Sequence, residues 1–235
     1  MDAIEPAMLH VQPLRILPLL NHRLPAWLLA VALVLAAATA SAAPLGRQQA
    51  LRALDAPQAA ERAAGVARLA EIGTMADARR VADRLRDADP QVRALAGPAL
   101  WLIWSRSGDA ATDRLLAQGI EQMGAGELDA ALATFTRVVQ RRPSFAEGWN
   151  KRATVRFMRG EDEASLKDCE ETLRRNPMHF GALSGMAHIH LRRGDVELAL
   201  DAWLRALAIN PNLEDGPEML ELLEEAVRLQ GTRRT

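Results

Sequence analysis

Tyrosine is absent from this 235-residue chain, and lysine occurs only twice, at Lys151 and Lys167. Cys169 is the single cysteine, so no internal disulfide can form. No stretch alternates Val, Ile or Thr with polar residues, which excludes a sheet-based core. The formal net charge is −1, without the basic excess that nucleic-acid binding favours. A glycine-rich phosphate loop and a dinucleotide fingerprint are both missing. Neither Cys169 nor any serine has a base and an orienting acid arranged around it. His188 and His190 stand two apart, so on a helix they point to different sides and do not chelate together. Catalytic residues, metal sites and cofactors are therefore not expected, and His179, His188 and His190 read as structural or groove residues.

Alanine, leucine and arginine fill the chain instead, and strong helix formers of this kind predict an all-α protein. Residues 24 to 46 carry no charge, between Arg23 and Arg47. Small residues follow the apolar centre, and both Ala38-x-Ala40 and Ala40-x-Ala42 fit a signal-peptidase site. Residues 1–42 are thus expected to be an export signal. An uncleaved anchor is the alternative, since about 20 apolar residues can span a bilayer. A bacterial periplasmic or secreted location follows from the first reading, and an inner-membrane anchor facing the periplasm from the second.

Residues 45–110 read as a helical segment. Apolar spacing predicts helices over Gln58–Ile72 and Ala76–Leu85. A third begins at Asp89-Pro90, with Asp89 as N-cap and Pro90 at the first helical position, and runs towards Gly108. Pro98 interrupts its backbone bonding. The stretch from Leu85 to Ala96, with its turn Asp, Pro, Val-Arg pair and alanines, resembles one copy of a HEAT repeat. The other reading is an unrelated helical cap that covers the first hydrophobic edge of the segment after residue 110. Trp101 and Trp104 are the expected anchors to that segment.

Beyond residue 110, landmarks recur every thirty-four positions: Gly126, Gly160, Gly194; Pro143, Pro177, Pro211; Ala131, Ser165, Ala199. That period resembles the tetratricopeptide repeat, a helix–turn–helix unit that stacks on its neighbours. Three repeats are read, 112–145, 146–179 and 180–213. Their landmark residues are Leu115, Gly119, Gly126, Ala131, Phe135 and Pro143 in the first. Trp149, Ala153, Gly160, Ser165, Cys169 and Pro177 mark the second, and Leu183, Ala187, Gly194, Ala199, Trp203 and Pro211 the third. Ser144 with Glu147 is expected to form a capping box. Gln118, Arg152, Gln122, Arg156 and His190 replace the family's usual bulky residues and are expected to cost packing. Residues 214–230 resemble the extra helix that closes many such arrays. The resemblance implies an all-α solenoid of stacked hairpins.

It also implies a concave groove lined by the first helix of each repeat. The candidate groove residues are Leu116, Ile120, Met123, Asn150, Lys151, Thr154, Phe157, Met158, His188, Leu191 and Arg192. Several could instead pack on the N-terminal helices or the cap. The expected activity is non-catalytic: an exported adaptor that binds a peptide or partner protein. The alternative is a structural component of an envelope assembly, tethered by an uncleaved N-terminal helix. Of the family's carboxylate-clamping positions only Lys151 matches, so a clamp for acidic chain ends is not expected.

Overall fold

Helix formers set at helical spacing give helix after helix in the computed structural model, which describes residues 44–233. The expected leader at residues 1–42 lies outside the described residues. Among the described residues there is no strand.

The first four helices are α1 (Arg47–Ala53), α2 (Ala59–Ile72), α3 (Ala78–Ala82) and α4 (Pro90–Trp104). Asp89 caps α4 by accepting from the amides of Gln91 at 2.8 Å and Val92 at 3.2 Å, with Pro90 at the first position. The helix continues past Pro98 and stops at Trp104, short of the Gly108 expected from the pattern. The helix expected over Ala76–Leu85 is broken: a 3₁₀ turn at Met75–Asp77, the five-residue α3, and a second 3₁₀ turn at Asp83–Arg86. Asp77 accounts for its ragged start. Its carboxylate accepts from the Thr74 amide at 2.9 Å and from Arg47 Nε at 3.0 Å, which ties the turn to α1. Asp87 is the other hub, gripped by Arg62 through Nε at 2.8 Å and Nη2 at 2.7 Å. That guanidinium holds the Asp87 carboxyl below its usual range against the opposing effect of burial.

Three hairpins follow: α5 (Ala110–Gly124) with α6 (Leu128–Arg141), α7 (Ala146–Met158) with α8 (Asp162–Arg175), and α9 (Phe180–Arg193) with α10 (Val196–Ile209). A last helix, α11 (Gly216–Arg233), packs on α10. Gly126, Gly160 and Gly194 all turn with φ between +76° and +80°, which lets the chain leave each first helix without a Cβ penalty. Gly119 is required for a different reason. A Cβ there would stand 2.5 Å from the Phe135 ring, so only glycine lets α5 and α6 approach.

Most of the unusual polar residues inside the hairpins are compensated rather than costly. Asp168, 2% exposed, accepts from Arg152 through Nε and Nη2, both at 2.8 Å, and from Arg156 Nη1 at 2.9 Å. One repeat earlier the same level is bridged by Thr134 Oγ1 donating to Gln122 Oε1 at 2.7 Å. Neighbouring hairpins are clasped by Arg159 to Asp129 and by Arg192 to Asp162. Ser144 and Glu147 do not form the expected capping box: Phe145 is the N-cap of α7 and Glu147 points into the interior, fully buried.

Cys169 is buried in the core with Ala153, Ala182 and Ile189. Burial, reinforced by Asp168 and Glu170, pushes its thiol up to about 12. The native protein is therefore expected to resist a maleimide at pH 7.5 and to label fully in urea, as counted by mass spectrometry. Rapid native labelling would show that the second hairpin is open.

The N-terminal helices do not cap the first repeat. Their core, from Ala50 to Trp104, is continuous with Phe180, Leu183 and Ala206 of the third hairpin. Arg86 donates to the carbonyls of Ala208 at 2.5 Å and Ile209 at 3.2 Å. Asn212 Nδ2 donates to the Leu85 carbonyl at 2.7 Å. The segment just before α5 thus reaches over to α9 and α10.

Candidate functional site

The first helices of the three hairpins, α5, α7 and α9, stand side by side and form the inner wall. The role of each candidate residue on that wall is set by its burial and its partners.

At the head of the wall, near the N-terminal ends of α7 and α9, the space is full. Glu147 is completely buried, and its Oε2 accepts from His179 Nε2 at 2.9 Å and from Asn150 Nδ2 at 3.2 Å. His179 Nδ1 accepts from the Ala182 amide at 3.1 Å, so the ring proton sits on Nε2 and faces Glu147. Lys151 Nζ lies 3.2 Å from Glu147 Oε1. Burial alone would raise the Glu147 carboxyl, but Lys151 and His179 outweigh it and hold it below the usual range. Over this polar group sits α4. Trp104 stacks on His179 with ring centres 4.6 Å apart, and Trp101 meets His179 edge-on at 5.3 Å and Phe180 at 5.5 Å. Lys151 Nζ is 5.4 Å from the centre of the Trp101 ring. Trp101 lies so close to α9 that a Cβ on Gly181 would be 2.3 Å from it. The sequence predicts Trp101 and Trp104 as anchors; that they rest on the third hairpin is visible only in the structure.

At the tail of the wall the side chains are open. Ile120 is 38% exposed and Met158 43% exposed. Phe157 is half-buried beneath the Arg192 guanidinium, 3.9 Å from its ring centre. Thr154 donates to the Asn150 carbonyl at 3.0 Å and is half-buried. His188 is exposed, its ring 5.9 Å from that of Trp203.

The other candidates are placed in the packing. Leu116 is 3% exposed, in the core of the first hairpin, and Met123 packs against that core. Leu191 packs with Trp203 and Leu223. Asn150 is buried against Glu147. Lys151 and Arg192 both have carboxylate partners, and Arg192 also donates to the Phe157 carbonyl. A helical wheel cannot separate these groups, because the same faces that line a groove also meet the neighbouring hairpin.

The pairing of Glu147 with His179 is not among the expectations drawn from the sequence. Their signal in the sequence is faint: a glutamate and a histidine in adjacent repeats, 32 residues apart. Among the described residues no cluster of His, Cys, Asp or Glu could hold a metal ion. There is a surface hollow at Gly160–Ala164 with Arg193 and another around Asp55, Arg62 and Arg84; Arg193 faces Asp195, and Arg62 and Arg84 face Asp87. No helix among the described residues is long and apolar enough to cross a membrane.

Comparison with known proteins agrees with the hairpin geometry. The tetratricopeptide-repeat profile matches residues 116–177 and 163–214. A TPR repeat-containing protein of Rhizobium etli is 35% identical over 148 residues, which is 63% of this chain and 72% of that protein. The human general transcription factor 3C polypeptide 3 is 34% identical over 82 residues, covering 35% of this chain and 9% of its own length. Among solved structures, the Sgt2 TPR domain of Aspergillus fumigatus superposes with a TM-score of 0.49 at 19% identity, over 54% of this chain and 84% of that one. The first TPR domain of human RPAP3 gives 0.49 at 19% identity, over 52% and 95%.

Proposed function

Because the chain belongs to the tetratricopeptide-repeat family, we propose that it is a non-catalytic interaction module that docks a segment of a partner protein on the open tail of its inner wall. One observation carries this reading. Ile120 and Met158 are exposed beside the half-buried Phe157 on consecutive first helices, while the cations near them are already paired. Such a surface suits the apolar side chains of a helical or extended peptide and has no unpaired cation for an acidic one. The flexible thioether of Met158 can adapt to differing side chains.

The adaptor is proposed to work outside the cytoplasm of a bacterium, supported by the uncharged run from residue 24 to residue 46 and the Ala-x-Ala sites within it. The same run supports a second reading, a structural part of an envelope assembly tethered by an uncleaved segment. N-terminal sequencing of the purified chain separates the two: a start near residue 43 favours export with cleavage, and a start ahead of the uncharged run favours the tether.

Photo-crosslinking in living cells tests the docking surface. A crosslinker in place of Phe157 is expected to give one discrete adduct, and one in place of Glu170, exposed on α8, none. Capture from Glu170 alone overturns the assignment of the inner wall.

A further inference from the structure

We infer that the N-terminal helices are a built-in occupant of the inner wall: Trp101 fills the head of the second and third hairpins, and a partner is confined to the tail. This rests on the proposal that the wall is where a partner docks. Four features carry it. The Trp101 ring lies directly on Gly181, where any side chain would collide with it. The Lys151 ammonium stands between that ring and the Glu147 carboxylate, so the wall's one lysine is satisfied from within. Trp104 anchors the same helix against His179 and Phe180 and is 1% exposed, which makes the contact part of the core. Arg86 and Asn212 then tie the N-terminal segment to the C-terminal end of α10.

The consequence is a restriction on the partner. A long segment running the full length of the wall would have to displace an indole that packs against a continuous core. A short apolar segment at Ile120, Phe157 and Met158 meets no such obstacle. Trp101 is therefore a specificity-determining residue that acts by exclusion.

The scarcity of lysine provides a test that needs no partner. The full chain is treated with an acetylating N-hydroxysuccinimide ester, and acetylation of Lys151 and Lys167 is followed by peptide mass spectrometry. Lys167 has a 71% exposed side chain and serves as the internal standard; Lys151 has 22%. Lys151 is expected to react about tenfold more slowly than Lys167, and Trp101→Ala to remove most of that difference while Lys167 stays unchanged. Gly181→Ala is the second variant, since it pushes the ring off the wall and leaves the tryptophan in place. Equal rates in the unaltered protein overturn the inference. So does unchanged Lys151 protection in both variants when circular dichroism shows them folded.

Crosslinkers at Met158 and at Ser184, on α9 three residues beyond Gly181, then address the partner. Met158 is expected to capture in both the unaltered and Trp101→Ala chains, and Ser184 in Trp101→Ala only. Capture from Ser184 in the unaltered chain overturns the exclusion. Failure at both Met158 and Phe157 with the lysine result intact removes the docking reading and leaves the occlusion standing as packing.

Discussion

Trp104→Ala is expected to lower the stability of the described core by about 3–5 kcal/mol, the range for truncating a fully buried tryptophan. Trp104 is 1% exposed and belongs to one cluster with Leu100, Ile103, Phe180 and Leu183, so its removal leaves a hole between two segments distant in sequence. It also takes away the ring stacked on His179 at 4.6 Å. Urea denaturation followed by far-ultraviolet circular dichroism measures the effect as a fall in midpoint. The transition should also broaden or split, because the N-terminal helices and the hairpins share little besides this core and a few hydrogen bonds. A loss below about 1 kcal/mol would mean that the two segments do not rest on this contact.

The second large effect is expected at Glu147. Removing one member of a buried ionic group leaves its partners uncompensated, at a cost of about 3–5 kcal/mol. Glu147→Ala strands the His179 ring proton and the Asn150 amide, which are buried, and leaves the Lys151 ammonium without its carboxylate. Glu147→Gln keeps the shape and loses the charge, so it isolates the pH dependence. The folded carboxyl titrates below its unfolded value. A depressed carboxyl contributes stability that is complete above the unfolded value, about 4.3 for glutamate. That contribution is lost as pH falls through the folded value. The advantage of the unaltered protein over Glu147→Gln should therefore shrink as pH falls from about 4.3, the unfolded value, into the acid range. Denaturation midpoints of the two proteins across that range supply the difference. An advantage that grows on acidification contradicts the assigned charge state.

These two residues also explain why part of the site escapes a reading from sequence. Glu147 sits four positions beyond Pro143, where an acidic residue ordinarily serves the helix start. Only the approach of His179 from the next hairpin turns it inward. Arg152 and Arg156 read as departures from a packed pattern, yet Asp168 on the following helix meets both. Leu116, Met123 and Leu191 read as wall residues because a helix turns its faces every 3.6 residues, and the faces for wall and neighbour overlap. Ile120 and Met158 are exposed, and the half-buried Phe157 is covered by Arg192.

Local chemistry wrote the helices, their caps and their turns into the chain. Asp89-Pro90 starts α4, Gly126, Gly160 and Gly194 end their helices with positive φ, and a fixed thirty-four-residue spacing makes one hairpin pack like the next. Those features depend on residues a few positions apart, so the order of residues alone specifies them. The placement of α4 does not. It depends on Trp101 finding Gly181 and Trp104 finding His179, each more than seventy positions away. Shape and burial select such contacts only after the hairpins have stacked, and no periodicity in the sequence records them.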